Sequence, residues 1–191
     1  MEPNTVIFIG RPGSGKGTQA ALLAKKLNWK LVSAGNQFRW LRSQEGPLAA
    51  RIQEDYDQGK LNPDWVADYL FAHAILNIPT DEGMVLEGFG RSRPQAEKVH
   101  EILTWLGRKV AVVHLSVSEE ETLKRQRERA ETEFRPDSDS EEKLKVRLAE
   151  YCTNTEPALG FFQEKGLLIE VDGEPSIDEI HKDILSKLKF Q

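Results

Sequence analysis

A chain of 191 residues suits one domain, with or without small inserts, and leaves no room for a second large one. Its net charge of -5 and pI near 5.5 exclude a general polyanion-binding surface, so phosphate binding must be local and no nucleic-acid partner is expected. The single Cys152 excludes an intramolecular disulfide and a thiolate-rich zinc site, and His73, His100, His114 and His181 show no ligand-like spacing, so neither zinc nor another structural metal is expected.

The N-terminus MEPNTVIFIG lacks the charged and apolar regions of a signal peptide, and no apolar run approaches the ~18 residues of a membrane span. A cytoplasmic location without membrane contact is therefore the expectation. Thr5 to Ile9 reads as a first strand, and a glycine loop leads into a helix from Lys16 to Leu27. Lys30 to Ser33 forms a second strand, weak by pattern alone. About fifty residues separate it from the third strand, Met84 to Glu87, too many for one crossover helix, which predicts a helical insert around residues 34 to 62. Within that span Asn62 reads as the N-cap of a helix from Pro63 to Leu76, with proline in the first turn. Lys109 to Ser116 is the fourth strand, and Ser118 with Glu121 forms a capping-box pattern before a helix running toward Arg129. The polar AETEFRPDSDS at residues 130 to 140 reads as an exposed loop. Ser140 then opens a helix ending before Gly166, Leu167 to Asp172 is the fifth strand, and Ser176 with Glu179 begins the last helix. Short apolar runs alternating with helical periods predict an α/β fold with a largely parallel sheet.

Gly10-Arg11-Pro12-Gly13-Ser14-Gly15-Lys16 lies between a strand and a helix, the context a phosphate-binding loop needs. Its glycines permit a tight path with inward backbone N-H groups, the helix N-terminus favours anions, and Lys16 supplies a compact positive charge. The usual hydroxyl directly after lysine is displaced: Gly17 intervenes and Thr18 carries it. Such a loop does not by itself name a reaction.

The form GRPGSGKGTQ resembles adenylate kinases and their nucleoside monophosphate kinase relatives. The likeness continues through LVSAGNQFR (31 to 39), LEGFGRSRPQAE (86 to 97), RQRERAET (125 to 132), RPDSDSEE (135 to 142) and VRLAEY (146 to 151). It implies a P-loop NTPase-like five-stranded parallel sheet in the order 2-3-1-4-5, with a monophosphate-binding insert at 30-62 and a short lid at 128-140 on a core of 1-29, 63-127 and 141-191. It also implies Mg²⁺-dependent, reversible transfer of the ATP γ-phosphate to AMP by a monomer. ATP would be held by Gly10, Pro12, Gly13, Ser14, Gly15, Lys16, Gly17, Thr18, Arg125 and Arg129. The acceptor would be held by Ala34, Arg39, Asn62, Gly88, Arg91, Gln95, Arg135 and Arg147, with Lys16, Arg91, Arg129, Arg135 and Arg147 gathered around the transferred group. That chemistry requires charge neutralisation and alignment and no protein base, because the acceptor phosphate is already largely dianionic.

Three positions depart from the family pattern. Glu87 stands where an aspartate is usual and would face Mg²⁺, directly or through water; Asn36 replaces another aspartate; and Gly90 replaces a proline, which adds backbone freedom and is expected to loosen the aim of Arg91. These changes leave open a nucleotide-binding regulator with weak or lost transfer. Ala34 resembles the UMP/CMP kinases, whereas Gln95, four residues after Arg91, falls where adenylate kinases carry the glutamine that reads AMP; a glutamine amide can pair with N6 and N1 of adenine together. Gln95 weighs more, and AMP is the expected acceptor.

Overall fold

The computed structural model describes residues 2-58, 60, 62-130 and 141-190. These form five strands, Thr5–Gly10 (β1), Lys30–Ser33 (β2), Met84–Glu87 (β3), Val110–Ser116 (β4) and Leu168–Asp172 (β5), in one parallel sheet of order β2-β3-β1-β4-β5. The expected strand order is therefore met. The helices are Lys16–Leu27 (α1), Ala34–Arg42 (α2), Pro47–Asp57 (α3), Asp64–Ile75 (α4), Arg93–Trp105 (α5), Glu119–Ala130 (α6), Glu141–Glu150 (α7), Glu156–Glu164 (α8) and Ile177–Leu188 (α9).

β1 lies at the centre because every one of its residues is apolar or small enough to be covered on both faces. Ile7 and Ile9 point, with Leu86 and Val112, toward Phe71, Phe89, Leu103 and Phe162 of one layer. Val6 and Phe8 point, with Val113 and Val171, toward Leu23, Ile180 and Ile184 of the other. The two-residue alternation of a strand thus builds two cores from one apolar run. β2 lacked such a signal because it is an edge strand: Lys30 and Leu31 are exposed and only Val32 is buried. Its pairing with β3 makes it part of the sheet, and the helical part of the segment read as an insert begins at Ala34.

Helix ends correct three readings. Asn62 does not cap α4; Pro63 occupies that position without a side-chain bond, and Asp64 opens the helix. Ser118 forms half a capping box, accepting from the Glu121 N-H at 3.3 Å, while its own N-H donates to Glu174 at 3.0 Å and the Glu121 carboxylate accepts from Arg125 at 2.8 Å. The helix expected to run unbroken toward Gly166 contains a π-helical turn, Tyr151–Thr155, between α7 and α8. Pro157 explains it: the missing N-H and the ring disrupt regular pairing one turn earlier.

At Ser176 the capping box is complete, with the Glu179 N-H donating to Ser176 Oγ at 3.4 Å and the Ser176 N-H to the Glu179 carboxylate at 3.0 Å. Ser176→Ala should lower stability by about 1 kcal/mol, read as a shift in denaturant midpoint at unchanged slope. The helix itself should survive, since Ile180, Ile184 and Leu188 remain packed; an unshifted midpoint would show the cap to be idle.

Residues 131-140, which hold Arg135 and most of the expected lid, lie outside the described residues. Residues 128-130 continue α6. Among the described residues no helix is long and apolar enough to cross a membrane.

Candidate active site

The strands end on one edge of the sheet, where a cavity of about 940 Å³ opens, at the upper end of the roughly 300–1,000 Å³ typical of ligand clefts. The glycine loop forms one wall. Gly13 adopts φ 87, and a Cβ there would approach the Thr122 carbonyl to 3.2 Å and Gln126 Cγ to 3.1 Å, so the loop's tight path against α6 needs glycine. Lys16, the first residue of α1, sits at the base of the loop, its Nζ donating to the Arg11 carbonyl at 3.2 Å.

Burial lowers the Lys16 ammonium most; Glu87 works against that shift, and Arg91, Arg147 and Arg129 push further down, so it titrates at about 8 instead of 10.5. Arg91, Arg147 and Arg129 therefore lie close enough to act on Lys16, with Glu87 acting in the opposite sense, and all five residues line the cavity. That is a field prepared for a polyanion.

Of the residues expected at the site, Gly10, Pro12, Gly13, Ser14, Gly15, Lys16, Gly17, Thr18, Ala34, Arg39, Asn62, Glu87, Gly88, Arg91, Gln95, Arg125, Arg129 and Arg147 all line this cavity. Arg135 lies outside the described residues. Arg125 is held at the rim, donating to Glu121 at 2.8 Å and to the carbonyls of Gly173 and Glu174 at 2.8 and 3.2 Å. Glu87, at the end of β3, accepts from Ser33 Oγ at 2.8 Å. Asn36 is exposed, and its Oδ1 accepts from the Arg39 guanidinium, so it orients an arginine.

Gly90 does not loosen Arg91. It is buried, with φ 72, and Arg91 is pinned on both sides: its N-H donates to Gln95 Oε1 at 3.1 Å and its carbonyl accepts from Thr155 Oγ1 at 2.9 Å. The expected looseness is overturned by these two bonds, which fix the peptide groups flanking the side chain.

Sequence reasoning missed Phe38, Tyr56, Pro175 and Ile177, which also line the cavity. Phe38 precedes Arg39 on α2 and was within reach of a helical-face argument; Pro175 and Ile177 arrive from the far end of the chain and carry no local signal.

A family model described as adenylate kinase matches residues 8–167. The chain is similar to the adenylate kinase of Thermobifida fusca, 38% identical over 185 residues covering 96% of this chain and 97% of the relative. It is likewise similar to that of Thermus thermophilus, 38% identical with 96% of each chain covered. The adenylate kinase of Archaeoglobus fulgidus is 31% identical, covering 96% of this chain and 99% of the relative. With the glycine loop, the convergent arginines and a match spanning nearly its whole length, the chain belongs to the adenylate kinase family.

Proposed function

We propose that the chain catalyses the reversible transfer of the ATP γ-phosphoryl group to AMP, giving two ADP. The observation that carries this reading is the shared cavity in which the glycine loop and Lys16 face Arg39, Arg91 and Gln95 across a cluster of cationic side chains. ATP takes the side of the loop and Arg125. AMP takes the side of α2, α3 and α5, its phosphate toward Arg39 and Arg91 and its base toward Phe38, Asn62 and Gln95. Lys16, Arg129 and Arg147 neutralise the group in flight, and no protein base is needed because the attacking phosphate oxygen carries no proton to remove.

The donors present fit a hard cation: Glu87, held by Ser33, and the Thr18 hydroxyl offer oxygen ligands beside the phosphate loop. One or two such oxygens suffice for Mg²⁺, which takes its remaining ligands from phosphates and water. When bound, it supplies charge neutralisation on the phosphate oxygens. By resemblance the enzyme works as a cytoplasmic monomer.

A coupled assay of ADP formation tests the reading. AMP should exceed CMP and UMP in kcat/KM, and chelation of Mg²⁺ should abolish turnover. A higher kcat/KM for CMP or UMP would replace AMP as the acceptor; absence of transfer to all three would point to a regulator that binds without turnover.

A further inference from the structure

Gln95 is almost wholly buried, with 4% of its surface exposed, yet it lines the acceptor side of the cavity. Both ends of its amide are engaged. Oε1 accepts from the Arg91 N-H at 3.1 Å, and Nε2 donates to Asp64 Oδ1 at 2.7 Å. The same Asp64 oxygen accepts from Ser92 Oγ at 2.8 Å, and Ser92 Oγ accepts from the Gln95 N-H at 3.3 Å, closing a ring of bonds around the first turns of α4 and α5.

A backbone N-H can only donate and a carboxylate oxygen can only accept. The order of the Gln95 amide is therefore forced: turned end for end, it would set N-H against N-H at Arg91 and oxygen against oxygen at Asp64. Two bonds use one lone pair and one proton, which leaves the amide one lone pair and one N-H to offer the cavity. Adenine presents an amino donor at C6 beside an acceptor at N1, whereas a 6-oxopurine presents an acceptor at C6 beside a donor at N1. In one pose an amide of fixed order matches the first and opposes the second, while an amide free to turn matches either. Asn62 adds a second acceptor to this wall, its Oδ1 buried and without a hydrogen-bond partner among the described residues.

We propose that Asp64 is a positioning residue that locks the Gln95 amide in one order and so makes the acceptor site selective for 6-aminopurine over 6-oxopurine monophosphates. This rests on Gln95 reading the acceptor base, as set out under the proposed function.

The test is the ratio of kcat/KM for AMP to that for IMP, at saturating ATP and Mg²⁺, in the wild type, Asp64→Ala, Asp64→Asn and Gln95→Ala. Asp64→Ala should lower the ratio at least ~10-fold, through a raised KM for AMP with the KM for ATP unchanged, within the range set by one mispaired polar group. Asp64→Asn keeps an acceptor oxygen and should hold most of the wild-type ratio, which a loss of general stability would not predict. If Gln95→Ala collapses the ratio while Asp64→Ala leaves it intact, the lock is overturned and the base reader stands. If Gln95→Ala leaves the ratio intact, base reader and lock fall together. Should Asp64→Ala not fold, Ser92→Ala removes one of the bonds on Asp64 and must lower the ratio about 3-fold; an unchanged ratio there overturns the proposal.

Discussion

Lys16→Met should lose more than ~10²-fold in turnover, the range for removing a major electrostatic stabiliser, while making the ligand-free protein more stable at neutral pH. The second half follows from the ammonium's titration at about 8 instead of 10.5, caused first by burial, with Glu87 opposing and Arg91, Arg147 and Arg129 reinforcing. Between those two values the unfolded chain binds the proton and the folded one releases it, so stability rises with pH across that window; below about 8 the full penalty is present. At ~1.4 kcal/mol per pKa unit the penalty is on the order of 3 kcal/mol, part of which methionine recovers by filling the same space without charge. Denaturant melts of the ligand-free proteins at pH 7 should favour the variant, and the difference should shrink toward pH 10. A variant less stable than wild type at pH 7, or one with near-normal turnover, would remove Lys16 from this role. The same linkage makes nucleotide binding take up a proton, so affinity for ATP should fall as pH rises through about 8.

Gly90→Pro should be more damaging than Gly90→Ala, although proline is the residue the family pattern leads one to expect here. Gly90 sits at φ 72, and the proline ring holds φ near −65°. The chain must therefore swing between Phe89, which is buried against Phe71, and Arg91, whose N-H and carbonyl are both bonded. A cost of about 3 kcal/mol or more is expected, with kcat/KM for AMP falling at least ~10-fold because Arg91 and Gln95 lose their shared bond. Alanine meets a milder obstacle. Its Cβ would touch the Phe162 ring at 3.4 Å, ordinary contact, and the left-handed backbone costs ~1–2 kcal/mol. The order wild type, alanine, proline in denaturant midpoint checks the argument; proline at or above alanine would show that the segment has another path of equal energy.

Features whose geometry is set by neighbours along the chain could be read from the residues alone. The glycine loop, α1, the central apolar strands and the Ser176 capping box were all legible, because each depends on backbone freedom, periodicity or bonds spanning three or four residues. Arg39, Arg91, Arg129 and Arg147 were legible only together, by resemblance, since a lone surface arginine is ordinarily solvated or paired. Packing between distant segments set the rest. It placed β2 through pairing with Met84 to Glu87. It drew Arg125 to carbonyls 48 and 49 residues away, and it joined Asp64 to Gln95 across 31. It also made Asn36 a partner of Arg39, and made Gly90 a fixed point instead of a loose one. The physical reason is common to these cases: a hydrogen bond between segments distant in the chain depends on where the packed sheet and helices bring them, and neither partner's composition or spacing records that meeting.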